Sequence, residues 1–88
     1  MRSFMTVDRI ERNYAVCELE LIDTETSKQT AYWDRETQMV NIPILFLHGI
    51  VEGDVVIVEH QGEAIERVLG KDEEERQKRV DALKGLGF

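Results

Sequence analysis

Hydrophobic and polar positions alternate clearly in the first third of this chain. Ala15, Cys17, Leu19 and Leu21 share one parity and Glu18 and Glu20 the other, the two-residue period of a strand buried on one face. Cys17 is therefore expected in the core. The preceding run, Phe4-Met5-Thr6-Val7-Asp8-Arg9-Ile10, is rich in β-branched and apolar residues, and Glu11-Arg12-Asn13 between the two runs predicts a hairpin. Gln38-Met39-Val40-Asn41-Ile42 reads as another strand, ended by Pro43, which has no N–H for an interior ladder. Ile44-Leu45-Phe46-Leu47 lacks alternation and predicts a short helical turn or a buried crossover, with Phe46 plugging the core. Val55-Val56-Ile57-Val58 is β-branched throughout, as in a strand covered on both faces. His60-Gln61-Gly62-Glu63 predicts a tight loop using a positive φ at Gly62, with Ala64-Ile65-Glu66-Arg67-Val68-Leu69 as the return strand. Between the second and third strands, residues 22–37 read as an extended hairpin arm in which Gln29-Thr30-Ala31-Tyr32-Trp33 forms one side.

The pattern changes after Gly70. Residues 71–88 predict a charged C-terminal helix, with Asp72, Glu73, Glu74 and Glu75 in its first turns and Arg76, Lys78, Arg79 and Lys84 later, the order that complements the helix dipole. Glu74 and Lys78, and Glu75 and Arg79, are spaced four apart for mutual support. Val80, Leu83 and Leu86 form a thin apolar stripe for the sheet or for another copy of the helix. The charge pattern itself predicts a solvated face. The fold class expected is α+β and mainly β: a small, strongly bent antiparallel sheet or open barrel of about five strands, then one helix, in a single domain over residues 1–88.

Charge narrows the partners. The 88 residues hold 11 Lys and Arg against 18 Asp and Glu, a net charge of −7. Residues 71–88 contribute five bases and five acids, so the β part, residues 1–70, carries the whole excess with 6 bases and 13 acids. Nucleic acid and anionic membrane are disfavoured, because both need Lys and Arg to neutralise phosphates. A basic protein is the fitting partner. The single cysteine excludes an intrachain disulfide, and residues 1–9 show no apolar signal segment, so a reducing cytoplasmic location is expected.

Four blocks carry a family resemblance. Val7-Asp8-Arg9-Ile10-Glu11, Asn13-Tyr14-Ala15-Val16-Cys17-Glu18, Met39-Val40-Asn41-Ile42-Pro43 and Val51-Glu52-Gly53-Asp54-Val55-Val56, followed by a charged helix, resemble a family of small bacterial proteins common in Firmicutes. It is the domain-of-unknown-function family numbered three-thousand-and-six. The resemblance implies a bent sheet or open barrel followed by a helix, and it implies no activity and no catalytic residues. Two departures stand out: Arg12 replaces the usual hairpin Gly, which leaves Asn13 to adopt positive φ, and residues 19–38 are an apparent insertion.

Candidate chemistry is thin. Cys17 sits on a core parity, far from conditions that would lower a thiol pKa, and His48 and His60 read as solvent-facing loop histidines without a metal-ligand pattern. The six glycines form no phosphate loop. No catalytic, cofactor or metal site is expected, so the leading expectation is a non-enzymatic acidic interaction module. Its candidate partner-binding residues are Tyr32, Trp33, Arg35, Val80 and Leu83, the aromatics because binding surfaces are enriched in them. Trp33 has a competing role as a lid folded onto the sheet, and the helix stripe offers a route to self-association. An acidic inhibitor or nucleic-acid mimic that blocks a basic cleft is the alternative function, and a small ligand-binding barrel is a third.

Overall fold

The computed structural model describes residues 1–85, which form five antiparallel strands and a C-terminal helix. The strands are β1 (Arg2–Ile10), β2 (Tyr14–Glu20), β3 (Thr37–Pro43), β4 (Val55–Gln61) and β5 (Ala64–Lys71), in the order β3-β2-β1-β4-β5. Register shifts leave Asp8 of β1 unpaired opposite β2, and Glu66 and Leu69 of β5 unpaired opposite β4. Such bulges bend a strand and increase its twist, and here the sheet curls into a half-barrel. The side chain of Gln38 in β3 donates a hydrogen bond to Glu63 in the β4–β5 turn. The bent mainly-β sheet with a following helix is the expected fold class.

Alternation decides which side chains fill the curl. Met5 and Val7, Ala15, Cys17 and Leu19, Val40 and Ile42, and Val56 and Val58 occupy the inner face, joined by Leu47. Cys17 is fully buried, as its parity requires. Burial pushes its thiol up to about 11, with the charge of Asp8 adding to the effect. Folding therefore favours the protonated thiol, and that contribution is present below the ordinary value of 9.0 and lost as pH rises from 9.0 towards about 11. Folded protein at pH 8 is expected to resist a thiol reagent such as dithionitrobenzoate, with full labelling in denaturant. Rapid labelling of the folded protein would contradict this placement.

Several local expectations change in the folded chain. Residues 44–47 form a 3-10 turn, Ile44–Leu47, entered from Pro43, and Leu47 rather than Phe46 fills the core. Side chains three apart eclipse in such a turn, so Ile44 and Leu47 share a side that Phe46 does not, and Leu47 alone is buried, 4% exposed against 41% for Phe46. Asn13 does not take a positive φ. Gly49, Gly53, Gly62 and Gly70 do, with Gly62 at 56° in the β4–β5 turn. His60 is 1% exposed rather than solvent-facing. It lies on the inner parity of β4, where Nδ1 donates to the Gly62 carbonyl at 2.8 Å and Nε2 lies 2.8 Å from Ser3 Oγ.

The stretch 22–37 is not an extended arm. It folds back as α1 (Thr24–Lys28) and a 3-10 turn, Tyr32–Asp34, because polar side chains fasten both ends. Asp23 caps α1, accepting from the Thr26 N–H at 2.8 Å, and this bond holds the Asp23 carboxyl below its ordinary range. The Ser3 hydroxyl donates to the Ile22 carbonyl at 2.7 Å, and the Leu21 N–H donates to the Glu36 carbonyl at 3.0 Å. Helix α2 spans Glu73–Gly85, with the Glu75 N–H donating to Asp72 Oδ1 at 2.9 Å. Leu86 of the expected stripe lies outside the described residues.

Candidate functional site

The outer face of the sheet carries Phe4 and Thr6 from β1, and Glu20 from β2, on the parity opposite to the core. Helix α2 meets this face through charge rather than through its apolar stripe. Its buried residues are Glu75 and Arg79, whereas Val80 and Leu83 stay exposed. The expectation of a fully solvated charged face is therefore corrected at these two positions. Their four-residue spacing places both carboxylate and guanidinium on one side of the helix, 3.2 Å apart.

Two further ions complete the arrangement. Arg79 Nη2 donates to Glu20 Oε2 and its Nη1 to Thr6 Oγ1 at 2.7 Å. Arg35 Nη1 reaches Glu20 at 3.3 Å and Glu75 at 2.9 Å, while its Nε donates to the Thr30 carbonyl at 3.1 Å. Ser27 of α1 donates its hydroxyl to Glu20 at 3.0 Å. The Arg79 guanidinium lies over the Tyr32 ring at 4.9 Å and the Phe4 ring at 5.5 Å, a cation–π geometry. No side chain of the four ions is more than 7% exposed. Two carboxylates balance two guanidiniums, and no buried side-chain nitrogen or oxygen among the described residues lacks a partner. Burial of charge is tolerable only with such pairing.

This cluster positions the candidate binding residues. Tyr32 is half-buried under the Arg79 contact, and Arg35 is held among the ions, so Trp33 lies close in sequence to two fixed side chains and projects outward, 58% exposed. Trp33 is not a lid on the sheet. Arg35 is corrected too: its guanidinium is a buried pin between Glu20 and Glu75 rather than an open surface charge. Two shallow clefts flank Tyr32. One, of about 220 Å³, lies among Lys28, Ala31, Trp33, Arg35, Lys78 and Ala82. The other, of about 180 Å³, lies between Thr6, Gly53 and Val55 on one side and Arg76, Val80 and Leu83 on the other. Tyr32, Trp33, Arg35, Val80 and Leu83 thus gather where the turn meets α2, with Trp33 and Arg35 lining one cleft and Val80 and Leu83 the other.

Sequence reasoning missed Glu20, Glu75 and Arg79 as buried groups. Their parity and spacing were readable, but only the fold brings their partners together. The Ser3–His60 contact has the residue types of a nucleophile and its base, yet both side chains are buried and the Ser3 proton is directed to the Ile22 carbonyl. Among the described residues no three His, Cys, Asp or Glu side chains converge as metal ligands, and no helix is long and apolar enough to cross a membrane.

The fold and its outer face define a small half-barrel with a helix clasped by buried charge. Comparison with protein-family models, with curated proteins and with solved structures gives no match to this chain.

Proposed function

We propose that this protein is a non-enzymatic interaction module that docks a basic protein partner on the surface around Trp33. The observation that carries this reading is the exposure of Trp33 on a turn anchored by Tyr32 and Arg35. A large aromatic side chain presented on a fixed support costs little ordering entropy on binding and is a frequent interface anchor. Val80 and Leu83 extend the apolar surface along α2. The basic character of the partner is supported by charge: among the described residues Asp34 and Glu36 beside Trp33, and Glu18 on β2, have no cation within salt-bridge distance, whereas Glu59 is held by Arg2 and Arg67 and Asp54 lies near Lys71. The resemblance to the small bacterial family is compatible with this reading, since it implies a fold and no chemistry.

Trp33 is the only tryptophan, so its fluorescence reports on this surface alone. Titration with a lysine- and arginine-rich peptide is expected to give a saturable change that weakens as salt screens the charges. Trp33→Ala is expected to abolish the binding heat in calorimetry while leaving circular dichroism unchanged. Equal affinity of the variant and the parent would overturn the proposal.

A further inference from the structure

The cleft between the Trp33 turn and α2 is lined by four cationic side chains, Lys28, Arg35, Lys78 and Arg79, and one carboxylate, Glu75. Arg35 is 93% buried by side chain, the complement of its 7% exposure, and its Nε and Nη1 are committed to Thr30, Glu20 and Glu75. Its second amino group, Nη2, donates to nothing among the described residues. That nitrogen is not sealed in, because no buried side-chain nitrogen lacks a partner, and Arg35 lines the 220 Å³ cleft. Lys28 and Lys78 stand at the same cleft, and their own acids, Glu25 at 3.9 Å and Glu74 at 3.5 Å, are highly exposed and weakly held. Glu75 is the one carboxylate in the lining, and its Oε1 is already shared by Arg35 and Arg79. Trp33, Ala31 and Ala82 supply apolar wall.

From this geometry we infer that the cleft binds the C-terminal carboxylate of a peptide chain whose last side chain is apolar. The carboxylate receives the free Nη2–H groups of Arg35 and the field of the two lysines, and the terminal side chain lies against Trp33 and Ala82. A planar guanidinium with an open N–H edge suits a carboxylate better than a point charge does. The inference rests on the docking reading above and deepens it: the partner is a basic segment that ends in a free carboxylate, its cations facing Asp34 and Glu36.

The test compares N-acetylated Lys-Arg-Lys-Ala-Leu as free acid and as C-terminal amide by isothermal titration. The free acid is expected to bind about tenfold tighter or more, the effect of a charge-assisted hydrogen bond. Lys28→Ala/Lys78→Ala, at two exposed sites that leave the buried ions intact, is expected to narrow that gap with no change in thermal midpoint. Equal binding of acid and amide, both still dependent on Trp33, overturns the carboxylate site and leaves the docking surface standing. Failure of both peptides to bind overturns the two together. N-acetyl-leucine binding as tightly as the full peptide would replace a chain terminus with a small carboxylic acid and so overturn the peptide assignment.

Discussion

Glu20→Ala is expected to destabilise the fold by about 3–5 kcal/mol, because it leaves Arg79 and Arg35 in a buried site with only Glu75 to balance them. Domains of this size have a net stability of about 5–15 kcal/mol, so the variant will lie close to its unfolding limit. Urea denaturation followed by circular dichroism measures the change as a lower midpoint at similar slope. Replacing all four ions together by apolar residues, Glu20→Leu, Arg35→Met, Glu75→Leu and Arg79→Met, is expected to be neutral or stabilising by about 1–4 kcal/mol, since no charge is then stranded. A Glu20→Ala cost within about 1 kcal/mol, the value of an exposed pair, would mean that the site is hydrated and the ions are not truly buried.

Phe4→Ala is expected to cost about 3–5 kcal/mol, the range for truncating a buried aromatic side chain. Phe4 is fully buried on the outer face, and its ring lies beneath the Arg79 guanidinium. The loss therefore falls where α2 docks. Amide hydrogen exchange in α2 is expected to accelerate more than exchange in β1, β2 and β4. Leu19→Ala, on the inner face of the same sheet, should cost about 2–5 kcal/mol and raise exchange in sheet and helix together. Equal behaviour of the two variants would show that helix and sheet open only as one unit.

The two faces of the sheet also separate what the sequence disclosed from what it hid. Ala15, Cys17 and Leu19 announce their common face through period alone, and Val55 to Val58 announce their strand through β-branching, because each signal is local. The hairpin at Gly62 is local too. Residues 22–37 misled because Tyr32 and Trp33 resemble strand residues, whereas the capping chemistry of Asp23 and the anchors at Ser27 and Arg35 decide the conformation. His60 lies next to a turn, which suggests exposure, but its parity in β4 buries it. The ion cluster was the least legible part. Arg79 and Glu20 are 59 positions apart, and a pattern that scores every Glu and Arg as solvated cannot find four that need one another. The candidate residues Tyr32 and Trp33 read as aromatics of a binding surface and Val80 and Leu83 as an apolar helix stripe, and they gather around the cluster that was not foreseen.

The division of the four ions between segments has a mechanical consequence. Glu20 and Arg35 belong to the sheet and its folded-back loop, Glu75 and Arg79 to the helix, and each couple is electrically neutral with its own contact, at 3.3 Å and 3.2 Å. The seam between the couples coincides with the seam between helix and sheet. A helix lifting away therefore carries its own counter-ion with it and leaves none orphaned behind. The clasp is made of charge, yet it parts along a line where no net charge has to be separated.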